Sequence, residues 1–195
     1  MVKNKILSQP LIIALDTDSP DRALELAQEL QDFAGSFKIG PRLSLAGGPR
    51  FIQKIADLAP VFLDHKFFDI PSTMCASLEA AFDSGVTLAT IHLMSGQVAL
   101  EKVVALEARL NQSRPFQVLG VSILTSWTEQ DPPPIFAEET NASRVNKLIL
   151  FGKKNGLSGF VCSGHELEPL QELNISNQTG DFLVVPGIRR KKDKL

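Results

Sequence analysis

The chain has 195 residues, 44% of them hydrophobic and 22% charged, and its 20 basic and 22 acidic side chains leave a net charge of −2. That length suits a single domain, residues 1–195, with a sizeable core. The charge balance argues against a nucleic-acid partner, and no apolar run is long enough to span a bilayer.

Short apolar runs alternate with longer segments of helical periodicity. The run Leu11 to Leu15 predicts a first strand and ends on Asp16. Asp18-Ser19-Pro20 then opens a helix over 20–33, a capping side chain followed by proline; Ala23, Leu26, Ala27 and Leu30 follow at helical spacing. The second run, Phe37 to Ile39, carries Lys38, and a helix over 48–58 follows. Val61 to Leu63 leads into Asp64, His65 and Lys66; the chain then passes Asp69 and turns at Ile70-Pro71 into a helix over 72–82. Leu88 to Ile91 ends on His92 before a helix over 98–110, and Phe116 to Leu124 ends in Thr125-Ser126. Asp131-Pro132-Pro133-Pro134 reads as a stiff loop, and 141–154 as a helix. Gly159 to Cys162 with Ser163, a helix over 165–173, and Phe182 to Val185 with Pro186-Gly187-Ile188-Arg189 complete the series. Seven strands alternating with helices predict an α/β fold with a parallel sheet. Cys75 and Cys162 have no metal-ligand spacing and read as packing residues in a reducing cytoplasm.

The polar residues are placed unevenly. Each strand is apolar until its C-terminal end and then carries a group capable of chemistry, the arrangement of a (β/α)₈ barrel. The first turn, Asp16-Thr17-Asp18-Ser19-Pro20, lacks the glycine fingerprint of a dinucleotide binder. Within the third run, strand alternation puts Asp64 and Lys66 on one face, roughly 7 Å apart at Cα, and His65 on the other. A carboxylate and an ammonium on one buried face are costly unless they pair or do chemistry.

Ile13-Ala14-Leu15-Asp16, Phe37-Lys38-Ile39-Gly40 and Leu63 to Thr73 resemble, in order, signatures of the orotidine 5′-phosphate decarboxylase family. So do Val121-Ser122-Ile123-Leu124-Thr125-Ser126, Gly159 to Ser163 and Val185 to Arg189. The resemblance runs from about Leu11 to Arg189 and implies a TIM barrel. It also implies metal-free, cofactor-free decarboxylation of orotidine 5′-phosphate to UMP in pyrimidine biosynthesis, by a homodimer with shared sites. By that resemblance the catalytic array is Lys38, Asp64 and Lys66, with Asp69 from the partner. Asp16 and Lys38 hold the ribose with Thr73 of the partner, Thr125 matches the position where the family contacts the pyrimidine or its neighbouring loop, and Arg189 binds the phosphate. The Asp-x-Lys-x-x-Asp core is shared with sugar-phosphate decarboxylases and synthases of the same superfamily, which stand as the alternative activity. A catalytically impaired barrel remnant acting as a binding or dimerising module is the alternative outside enzymology.

Only Arg190 to Leu195 follow Arg189, where the family pattern continues through a further phosphate-binding loop, a helix and an eighth strand. The expectation is therefore an incomplete barrel of seven recognisable strands, with weak orotidylate binding and impaired turnover.

Overall fold

A computed structural model describes residues 9–124, 126–127, 133 and 139–188. Among these, β1 (Ile12–Ala14), α1 (Pro20–Leu30), β2 (Ser36–Ile39), α2 (Pro41–Ala56), β3 (Val61–Phe67), α3 (Pro71–Asp83) and β4 (Val86–His92) form the first half. The second half comprises α4 (Gln97–Leu110), β5 (Gln117–Val121), α5 (Asn141–Lys154), β6 (Gly159–Val161), α6 (Leu167–Glu172) and β7 (Phe182–Val184). The strands form one parallel sheet in chain order, β1 to β7. The register pairs Ile13 with Phe37, Lys38 with Phe62, and Thr90 with Leu119. The sheet curls into an incomplete TIM barrel, with β1 and β7 at its two edges among the described residues.

Helix starts follow local chemistry. Proline opens α1, α2 and α3, where its missing N–H costs nothing and its fixed φ suits the first turn. The predicted cap of α1 is present: the Ser19 side chain accepts the N–H of Arg22. The helix expected over 48–58 is longer, because the chain is already helical from Pro41 and is interrupted at Gly48, whose φ is +66° and ψ −173°. Gly47-Gly48-Pro49 hides that first half in the sequence, since two glycines and a proline read as a breaker. All but Pro133 of the predicted stiff loop lies outside the described residues.

Two apolar layers hold the sheet. Its convex face packs Phe37, Ile39, Leu63 and Ile91 against helical residues such as Ala27, Ile55, Leu78 and Leu100. Each fully buried large apolar side chain contributes about 1.5–3 kcal/mol. The concave face has a smaller cluster of Phe62, Leu88, Leu119 and Val184, packed by Ile12, Val161 and Phe182, all of them strand residues. Inward rows therefore run Phe62 then Asp64 on β3, and Leu88 then Thr90 on β4, changing from apolar to polar toward the strands' C-terminal ends. Among the described residues no helix is long and apolar enough to cross a membrane.

Candidate active site

A cavity of about 350 Å³ opens at the C-terminal ends of the first three strands, and Asp16, Lys38, Asp64, His65 and Lys66 line it. Two ion pairs face it. Lys38 Nζ donates to Asp16 Oδ1 at 3.0 Å, and Lys66 Nζ donates to both Asp64 oxygens at 2.9 Å. The second pair is the more enclosed: the Asp64 side chain is 20% exposed and that of Lys66 37%. Among the described residues no ion pair joins Lys38 to Asp64, so the four charges stand as two separate pairs in one cavity.

The backbone beneath Lys66 is unusual. Lys66 adopts φ +50° within a strand, and the β3–β4 register shifts between Leu63 and Phe67. A non-glycine residue in the left-handed region costs about 1–3 kcal/mol and persists only where its surroundings impose it. Here the freed N–H of Lys66 donates to Thr90 Oγ1 at 2.8 Å, and that hydroxyl donates to Asp64 Oδ1 at 3.1 Å. Neither Thr90 nor this bulge figures in the sequence reading.

His65 also borders the cavity, and its ring meets α2. Ser44 Oγ lies 2.9 Å from the Pro41 carbonyl oxygen and hydrogen-bonds His65 Nε2 at 2.7 Å. His92 Nδ1 accepts the N–H of Met94 at 3.3 Å, and its ring stacks on Phe68 with centroids 5.4 Å apart. Burial pushes the pKa of both imidazoles below the usual value. Asp64 opposes the shift at His65 while Lys66 adds to it, and Lys66 adds to it at His92. Among the described residues no group of three or more His, Cys, Asp or Glu is placed to hold a metal ion.

Residues 9–195 match the family described as Orotidine 5′-phosphate decarboxylase / HUMPS. The chain belongs to that family. It is 36% identical over 186 residues to an orotidine 5′-phosphate decarboxylase of Chromohalobacter salexigens, covering 94% of this chain and 76% of the relative. A decarboxylase of the same name from Methylacidiphilum infernorum is 37% identical over 179 residues, covering 91% of this chain and 75% of the relative. Among solved structures, the orotidine 5′-phosphate decarboxylase of Lactobacillus acidophilus superposes with a TM-score of 0.78 at 28% identity, covering 93% of this chain and 82% of that one. The relatives' names place the chain among carboxy-lyases.

Within this family member, four of the predicted site residues, Asp16, Lys38, Asp64 and Lys66, share the one cavity. Asp69 and Thr73 do not line it. Both are exposed: Asp69 Oδ1 accepts the N–H of Ile70 at 2.6 Å, and Thr73 sits in the first turn of α3. Around them Phe68 is 60% and Ile70 63% exposed. Thr125 and Arg189 lie outside the described residues.

Proposed function

We propose that the chain decarboxylates orotidine 5′-phosphate to UMP and carbon dioxide, with Lys66 as the general acid. The observation that carries this reading is the Lys66 ammonium held on both oxygens of Asp64, facing a cavity that also holds the Asp16–Lys38 pair. Breaking the bond between C6 and the carboxyl carbon leaves an electron pair on a ring carbon with no adjacent sink. A fixed cation aimed at that carbon stabilises the developing charge. Lys66 then passes one Nζ proton to C6 and recovers it from solvent.

Asp64 keeps Lys66 charged and oriented, since an adjacent carboxylate favours the ammonium. Lys38 compensates the negative charge around the reacting carbon, and with Asp16 it holds the ribose hydroxyls. Asp69 and Thr73 serve the site of a second copy of the chain, and the exposed Phe68 and Ile70 beside them supply apolar surface for such a homodimer. Arg189 takes the phosphate, remote from the reacting carbon, where binding energy aids positioning. Thr125 serves the pyrimidine or its neighbouring loop. The reaction uses no cofactor, and Cys75 and Cys162, free thiols both, suit a cytoplasmic enzyme.

The test is a steady-state assay of orotidylate absorbance on the purified chain and on Lys66→Ala. Turnover by the parent and a loss of about 10²–10⁴-fold in kcat for the variant are expected, the usual range for removing a general acid. Turnover that survives in Lys66→Ala would refute the assignment. Activity on a 3-keto-sugar phosphate that disappears with chelator would instead place the chain on the other branch of its family.

A further inference from the structure

Among the described residues, Thr90 is the side chain outside the reactive pair that hydrogen-bonds to both of its members. It lies on β4, one inward position above Leu88, and is fully buried at 0% exposure. A buried hydroxyl needs partners, and the chemistry of its two partners leaves only one arrangement. The Lys66 N–H can only donate and the Asp64 carboxylate can only accept. The single proton of Thr90 therefore goes to Asp64 Oδ1 and its lone pair receives the Lys66 amide.

We infer that Thr90 is the positioning residue of the Asp64–Lys66 pair: one hydroxyl fixes both the left-handed backbone that aims the ammonium and the carboxylate that receives it. Two independent features of the fold converge on it. The ladder between β3 and β4 loses register between Leu63 and Phe67, so the Lys66 amide has its acceptor in a side chain of β4. Asp64 Oδ1 takes a hydrogen bond from Lys66 Nζ as well as from Thr90, whereas among the described residues Oδ2 takes one from Nζ alone. The threonine thus sets the rotation of the carboxylate plane. When Nζ gives up a proton its attraction to Asp64 falls, and the bond from Thr90 keeps the carboxylate in place for the return of the proton. A valine would fill the same volume above Leu88 and would do neither.

The inference rests on the decarboxylase reading for its kinetic arm, so a second arm is independent of turnover. Thr90→Val and Thr90→Ser are compared with the parent in steady-state kinetics and in amide hydrogen exchange at Lys66, read by NMR. The valine variant is expected to lose about 10–100-fold in kcat, the scale of a misplacement near 1 Å, with KM within about twofold. Its Lys66 amide is expected to exchange at least about tenfold faster, the cost of an amide left without its acceptor. The serine variant, which keeps the hydroxyl, is expected to restore both. Should Thr90→Val not fold, Thr90→Ala makes the same comparison. Parent-like kcat and exchange in the hydroxyl-free variant, or a serine variant as impaired as valine, would overturn the assignment. A parent chain that does not decarboxylate orotidylate refutes the proposed function instead, and the exchange arm alone then decides Thr90.

Discussion

At the scale of single residues, Lys66 joins a common side-chain role to a rare backbone. Its pairing with Asp64 is legible in the sequence, because strand alternation alone puts residues 64 and 66 on one face. Its left-handed backbone is not legible, because nothing local to Asp64-His65-Lys66 demands it; the acceptor that stabilises it comes from a residue 24 positions away. Asp16, at the end of one apolar run, and Lys38, inside the next, were readable as polar residues set in apolar runs. Thr90 has that placement too, one turn of the pleat before His92, but a threonine in a β-run is so ordinary that only the neighbouring strand reveals its purpose.

The histidines offer a test at this scale. His65 and His92 both have pKa values lowered, chiefly by burial. An imidazole whose folded-state pKa lies below its unfolded value of about 6.5 is protonated first in the unfolded chain. Stability is then full above about pH 6.5 and declines as pH falls from there through the lower folded-state values. Thermal unfolding followed from pH 7.5 to 5.5 should show a falling midpoint, and the decline should be shallower in His65→Gln. A flat profile in the parent would contradict it.

At the scale of elements, α2 shows where reading along the chain stops. Residues 41–46 lack a convincing start signal beyond Pro41, and the two glycines that follow look like a loop. The structure instead uses Gly48 as a joint: with φ +66° and ψ −173° it occupies a region essentially reserved for glycine. The first segment thereby brings Pro41 to the cavity wall and Ser44 within hydrogen-bonding reach of His65. A Cβ at residue 48 would meet no atom within 4 Å, so any penalty there is purely conformational. Gly48→Ala should destabilise the protein by about 1–3 kcal/mol, measured by urea unfolding, even though the new methyl group has open space. The bulge in β3 is the other element-scale device: it bends the strand's end so that Lys66 turns back upon Asp64, a use of irregular pairing common beside active sites.

At the scale of the whole molecule, every strand among the described residues pairs with its neighbours in sequence, and none of them reaches across the chain. The alternation of seven strands with helices is plain in the sequence because strand and helix periods differ; curl and register are not, since both depend on packing between faces. Strand length varies along the sheet. β3 and β4 have seven residues each, while β1 and β7 have three. Amide exchange should therefore be slowest in β3 and β4 and fastest in β1 and β7, with local opening at the edges costing less than global unfolding. Uniform protection across all seven strands would count against that gradient.

That unevenness reaches the chemistry. Asp16 follows the short marginal strand β1, whereas Asp64, Lys66 and Thr90 lie on the two longest strands, flanked on both sides. If Asp16 holds the sugar and Lys66 donates the proton, as proposed, breathing at the margin would disturb substrate capture first, and gentle warming would raise KM before it lowered kcat.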